Sequence, residues 1–271
     1  MTILAQLIAD RLVLKATRHP VSALGKQRLE IPFRKGHLEV WTQTVTNRPN
    51  EEADFFVLKF AGTGGRAERS TYHPMDYWSD LNAELWSVNM PGYGGSTGSA
   101  SLKTIPQAAS TAFEAIQEKA KGRPIIIMGN SLGTVSALFL AARYDVAGLV
   151  LRNPPPLRQL IVGKFGWWNL WVGAMIIAQK VPKTLCAIRN AEQSSCPAVI
   201  LSSQRDQIVP TAYQNQVIEA YSAPKQVLHL WQASHATPLS LAEQREYRDH
   251  MDWLRGEIIS IPESNLSVAS R

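Results

Sequence analysis

From about residue 55 onward, short continuous apolar runs alternate with stretches whose apolar positions recur at helical spacing. The runs at 55–60, 85–90, 125–128, 148–151, 198–202 and 226–231 are nearly free of polar interruption, the pattern of strands buried on both faces of a sheet. Between them, 105–121, 132–143, 211–221 and 238–254 read as helices; the first and last carry a proline near the first turn, where a missing N–H costs little. This alternation predicts an α/β fold with a mostly parallel sheet and helices on both faces. Upstream, 28–33 and 38–45 alternate apolar and polar residues around Arg34-Lys35-Gly36-His37, which predicts an antiparallel hairpin at one edge and brings the strand count to eight.

Two segments stand outside this rhythm. Residues 154–196 open with three prolines and continue through Phe165-Gly166-Trp167-Trp168-Asn169-Leu170-Trp171 into an apolar helical run, so they are expected to form a small helical cap inserted in a single domain spanning 1–271. The first ten residues are apolar but lack a basic start, and Asp10 and Arg11 arrive before any cleavage site fits, which predicts an amphipathic helix rather than a signal peptide. The tail from Glu263 to Arg271 reads as a frayed polar end.

Composition narrows the class. With 45% hydrophobic and 18% charged residues in 271, the chain has ample material for a core, and global disorder is excluded. No stretch approaches the ~18 apolar residues that span a bilayer, the most apolar tract being broken by Lys164, Gly166, Asn169 and Gly173, so no integral membrane association is expected. The net charge of +6 is not gathered into basic runs interleaved with aromatics, which argues against nucleic acid and for scattered charge on a solvated surface. Cys186 and Cys196 are too far apart for a Cys-x-x-Cys motif and too few for a disulfide scaffold; two thiols in a reducing, cytoplasmic setting are expected.

The strongest chemical signal is Gly129-Asn130-Ser131-Leu132-Gly133, directly after a strand and directly before a helix. A serine hydroxyl needs a base to take its proton and must project clear of the backbone, and a sharp strand-to-helix turn bounded by glycines meets the second need. The remaining partners are expected in the order acid, then histidine. Asp206 lies in the polar loop after 198–202 and His235 in the loop after 226–231, both at the carboxyl edge of the sheet where distant loops converge. Asp206 would orient His235, and His235 would take the Ser131 proton. His229 sits inside its strand, and His19, His37, His73 and His250 lie in the wrong segments.

An oxyanion hole needs two N–H donors, for which Leu132, after the nucleophile, and Thr63, in Ala61-Gly62-Thr63-Gly64-Gly65, are the candidates. The same loop matches Gly-x-Gly-x-x-Ala through Gly62, Gly64 and Ala67, a dinucleotide fingerprint, but that reading needs an acid at the end of the next strand, where Asn89 and Met90 stand. A second glycine-rich loop, 89–98, lacks the Gly-Lys-Ser/Thr ending of a phosphate cradle and is expected to shape the floor beside the nucleophile.

Together, Phe60-Ala-Gly-Thr-Gly-Gly65, Asn89-Met-Pro-Gly-Tyr-Gly-Gly-Ser96, Gly129-Asn-Ser-Leu-Gly133 and the positions of Asp206 and His235 resemble the α/β-hydrolase superfamily over about residues 38–254. The resemblance is to its serine-hydrolase branch of esterases, monoacylglycerol lipases and aminopeptidase-like hydrolases, with Ala61 where histidine is usual and Thr63 where asparagine or a bulky residue is frequent. It implies hydrolysis of a small or lipid-like ester through an acyl-enzyme, with no metal or organic cofactor. An amide, peptide or thioester substrate, acyl transfer, or a non-catalytic binding scaffold remain alternatives. Phe165, Trp167, Trp168, Trp171 and Met175 are expected either to line an apolar acyl pocket or to pack the cap onto the body.

Overall fold

The structure is a computed structural model that describes residues 2–49, 51–71, 76–169 and 171–258. His73, the Trp168 side chain and the tail from Glu263 to Arg271 lie outside the described part. Eight strands form one sheet: β1 (Gln27–Phe33), β2 (Gly36–Val45), β3 (Phe55–Phe60), β4 (Ala83–Asn89), β5 (Ile125–Asn130), β6 (Gly148–Arg152), β7 (Ala198–Ser203) and β8 (Lys225–Leu230). Their order is β1-β2-β4-β3-β5-β6-β7-β8, with β1–β2 and β2–β4 antiparallel and every later pair parallel. The edge hairpin turns on Arg34 and Lys35, with Arg34 at a φ of 54°.

The continuous apolar runs have a direct cause, because successive side chains enter opposite layers. Phe56, Leu58 and Phe60 join the core on one face with Ile125 and Ile127, whereas Phe55 and Val57 join Ile126, Met128 and Val199 on the other. The first face is covered by α2 (Ile105–Ala120) and α3 (Leu132–Ala141), the second by Tyr247, Met251 and Leu254 of α8 (Leu241–Ile258). The last helix starts three residues later than the Pro238 boundary predicts. Ser240 and Glu243 form a reciprocal capping box, Ser240 N–H donating to Glu243 Oε2 at 2.7 Å and Glu243 N–H to Ser240 Oγ at 3.3 Å.

The remaining helices are α1 (Thr2–Val13), α4 (Leu157–Phe165), α5 (Val172–Ala178), α6 (Ala187–Gln193) and α7 (Thr211–Ala220). Between β6 and β7, α4 and α5 pack on each other, whereas α6 packs on α3 and α7. No helix among the described residues is long and apolar enough to cross a membrane.

The antiparallel side is locked by a buried polar cluster. Asn89 Nδ2 donates to Glu39 at 2.7 Å and Glu68 at 2.9 Å, Arg28 binds Glu39 at 2.8 Å, and Arg66 pairs with Glu68. The two carboxylates at the end of β4 are thus committed to Asn89, Arg28 and Arg66. Burial opposes the charge of Glu39, yet the Gly95 N–H, Asn89 and Arg28 outweigh it and hold its carboxyl below the ordinary value. A carboxyl depressed on folding contributes stability above its unfolded value, near about 4.3, and that stability is lost as pH falls through the folded value. Glu39→Gln is expected to cost about 1–3 kcal/mol in urea unfolding at pH 7, a difference that shrinks below about pH 4. An equal deficit at both pH values would count against an ionised Glu39.

Candidate active site

Ser131 occupies the turn between β5 and α3 with φ 49° and ψ −118°, a conformation costly for any residue with a Cβ. Its neighbours hold it there. The Ser131 N–H donates to the Arg152 carbonyl at 2.7 Å, and its carbonyl accepts from the Thr134 N–H at 2.9 Å and hydroxyl at 2.7 Å. Both motif glycines are required by close approach: a Cβ on Gly129 would lie 2.5 Å from Thr134 Cα, and one on Gly133 would lie 2.1 Å from the Phe60 carbonyl oxygen. Neither obstacle can rotate away, since both are backbone. Gly133→Ala is therefore expected to lose about 3 kcal/mol of stability, read by denaturant unfolding; an unchanged midpoint would mean that the β3–α3 contact is looser than described.

Asp206 and His235 come together across 29 residues of sequence. The Asp206 side chain is completely buried, its Oδ1 accepts the N–H groups of Ile208 (2.8 Å) and Val209 (2.9 Å), and its Oδ2 lies 2.6 Å from His235 Nδ1. A carboxylate so held can only accept, so the ring proton sits on Nδ1 and leaves Nε2 as the free lone pair of the neutral ring. Among the described residues no hydrogen bond links His235 to the Ser131 hydroxyl, so the carboxylate and the ring are joined and the ring and the hydroxyl are not.

Two residues that sequence reasoning missed fix this half. Asn153, buried at the end of β6 with φ 52°, donates from Nδ2 to the His235 carbonyl at 3.0 Å and accepts the Ser203 N–H on Oδ1 at 2.9 Å. Its one sequence signal is an asparagine directly before three prolines, a residue type that tolerates the left-handed region. Gln214, buried inside α7, donates to the Val209 carbonyl at 2.7 Å and approaches Asp206 Oδ2 at 3.5 Å, and nothing in its spacing marks it.

Thr63 and Leu132 line the same cavity as Ser131, of about 200 Å³. Leu132 opens α3, so its N–H has no acceptor one turn back within the helix. Thr63 is immobilised by three hydrogen bonds: its hydroxyl donates to the Val13 carbonyl, and its own carbonyl accepts from Tyr93 Oη at 2.8 Å and the Lys15 N–H at 3.2 Å. A methyl added to Gly62 would lie 3.5 Å from Ser131 Cβ, which sets this loop beside the nucleophile turn. Tyr93 also gives the glycine-rich 89–98 loop its part in the floor, where it lines a smaller cavity with Leu132 and Gly133.

The walls of the Ser131 cavity are mostly apolar, with Leu157, Leu160, Ile161 and Phe165 of α4 beside Ile208 and Val209, and they also carry Lys15 and Lys164. Of the aromatic group expected at an acyl pocket, Phe165 lines it, whereas Trp167, Trp171 and Met175 are exposed and do not. The other described histidines stand elsewhere, His229 on β8 meeting Gln204 at 3.1 Å and His37 lying 3.6 Å from Glu30.

Comparison with known proteins agrees with this architecture. A family model described as alpha/beta hydrolase fold matches residues 75–198. The chain is 29% identical over 188 residues to the alpha/beta hydrolase domain-containing protein aho-3 of Caenorhabditis elegans, covering 68% of this chain and 52% of that protein. It is 27% identical over 164 residues to the human alpha/beta hydrolase domain-containing protein 17B, covering 58% and 52%. The chain thus spans about half the length of these curated relatives. Among solved structures, a Pyrococcus furiosus esterase superposes with a TM-score of 0.64 at 13% identity, over 91% of this chain and 97% of that one. A Pyrococcus horikoshii acylaminoacyl peptidase superposes with a TM-score of 0.66 at 14% identity, over 88% and 42%.

Proposed function

We propose that this chain, which belongs to the α/β-hydrolase superfamily, is a serine hydrolase that cleaves carboxylic esters through an acyl-enzyme. The observation that carries the reading is the 2.6 Å bond from His235 Nδ1 to a buried Asp206, presented on the same sheet edge as a serine on a strained strand-to-helix turn. With Nδ1 committed to Asp206, Nε2 takes the Ser131 proton once substrate draws ring and hydroxyl into hydrogen-bond reach, a tightening common on forming the Michaelis complex. Ser131 Oγ then bonds to the acyl carbon, and the Thr63 and Leu132 N–H groups stabilise the oxyanion. His235 returns the proton to the departing alcohol, and the acyl-enzyme is hydrolysed by a water that the same ring deprotonates.

Every step uses side chains and backbone of this chain. The test is intact-mass spectrometry after exposure to a fluorophosphonate. A single adduct is expected on the folded protein, abolished by Ser131→Ala and by His235→Ala; no adduct on wild type would favour a non-catalytic scaffold. The structural neighbours include an esterase and an acylaminoacyl peptidase, so the substrate panel should span esters, thioesters and amides. The apolar walls from Leu157 to Val209 predict that kcat/KM for straight-chain esters rises with acyl length before falling. Flat activity from two to ten carbons would contradict an acyl site in this cavity.

A further inference from the structure

The N-terminal helix is mounted inside out. In α1 the small residues Ala5 and Ala9 are buried against the body, while Ile3, Leu4, Leu7, Ile8 and Leu12 face outward, Ile3 with 86% of its surface exposed. The helix is tied to the body by polar contacts: Asp10 Oδ1 accepts the Leu102 N–H at 2.8 Å, and the Val13 carbonyl accepts the Thr63 hydroxyl. A surface helix ordinarily turns its apolar stripe inward, so this arrangement leaves its most hydrophobic face uncovered.

The face does not stop at α1. That helix packs against α5, whose Val172, Met175 and Ile176 are exposed beside Trp171 and Trp167. Ten of the fourteen exposed large hydrophobic residues among those described belong to this one surface. Their exposed area is roughly 1,000 Å², against a largest patch of several hundred on an ordinary monomer.

Charge identifies the occupant. Residues 2–15 and 157–178, which hold α1, α4 and α5, carry Arg11, Lys15, Arg158 and Lys164 against one acid, Asp10, a net +3. Of these, Arg11, Lys15 and Lys164 are exposed around the apolar patch. Aliphatic and tryptophan side chains ringed by Lys and Arg make the surface of an element that lies in the headgroup region of an anionic bilayer. A second copy is the poorer occupant, since a two-fold contact through this face would bring Arg11, Lys15 and Lys164 toward their own copies.

We propose that the α1–α5 face docks this protein on an anionic lipid surface, lying on the bilayer without spanning it. Leu12, Val13, Lys15, Lys164 and Phe165 belong both to these segments and to the wall of the Ser131 cavity, so docking turns the cavity mouth toward the lipid. Entry of a lipid-borne acyl compound by that route rests on the serine-hydrolase reading; docking does not.

The experiment is co-sedimentation of the full chain with vesicles of phosphatidylcholine alone and of phosphatidylcholine with phosphatidylglycerol. Partitioning is expected to be at least about tenfold stronger on the anionic vesicles and to weaken with salt. The double variant Ile3→Glu/Leu7→Glu and, on the other helix, Val172→Glu should each cut it about tenfold, with unchanged melting and unchanged turnover of a water-soluble ester. Wild-type protein that ignores anionic vesicles at low salt, or variants that bind as well as wild type, would overturn the proposal. A dimer that these substitutions dissociate, without vesicle binding, would assign the face to a second copy instead. Partitioning without ester turnover would remove the hydrolase reading alone.

Discussion

Ser131→Ala is expected to lower kcat/KM for a soluble ester on the order of 10⁴- to 10⁶-fold while leaving the unfolding midpoint almost unchanged. The first half follows because, of the two hydroxyls among the described residues that line the cavity, that of Thr63 is committed to the Val13 carbonyl, which leaves Ser131 to form the acyl-enzyme. The second half follows from the backbone. Ser131 is held at φ 49° by its N–H to Arg152 and its carbonyl to Thr134, and alanine keeps both contacts and the same Cβ. Stability within about 0.5 kcal/mol of wild type is therefore expected, measured by denaturant unfolding. Ser131→Gly removes the Cβ from the strained position and should be more stable than either by about 1 kcal/mol, with equally little activity. Retention of more than a hundredth of wild-type activity in Ser131→Ala would remove this serine from the mechanism.

Asp206→Asn is the second large effect, and its logic is the tautomer of His235. The asparagine oxygen would keep accepting the Ile208 and Val209 N–H groups at the Oδ1 position, which turns the amide N–H₂ toward His235 Nδ1. An N–H donor there demands a lone pair on Nδ1, so the ring proton moves to Nε2 and the base can no longer take a proton from serine. A loss of about 10⁴-fold in kcat at neutral pH is expected, with the fold kept and stability lower by about 1 kcal/mol. Asp206→Ala would differ by stranding the buried Val209 N–H and the partly buried Ile208 N–H, and should lose stability as well as rate. Asp206→Asn within tenfold of wild type would show that His235 does not depend on this carboxylate.

Much of this architecture was readable from residue patterns. The six later strands and the edge hairpin appear in the structure within two residues of the predicted bounds, because burial on both faces writes itself as uninterrupted apolar runs. The displaced start of the last helix was itself legible: Ser240 and Glu243 stand at capping-box spacing, and Pro238 drew the boundary too early. The turn around Ser131 was legible because its requirement for glycine at 129 and 133 is local, a consequence of backbone crowding between adjacent elements. Asn153 and Gln214 were not, since their roles arise only from which loops meet: one bridges the ends of β6 and β7 to the His235 loop, the other reaches from α7 to Asp206.

The sequence by itself determined the order of strands and helices, the elbow, and an acid and a histidine waiting in loops at the same edge of the sheet. These depend on periodicity and on chain order, which are properties of neighbouring residues. The tertiary structure alone decided that Asp206 lies buried against His235, that Thr63 is clamped between the first helix and Tyr93, and that α1 presents its leucines and isoleucines outward beside α5. An amphipathic pattern states that a helix has an apolar side but not which side meets the body. That choice is made where Ala5 and Ala9 can approach closely and Asp10 can bond to Leu102, through contacts between residues about ninety positions apart.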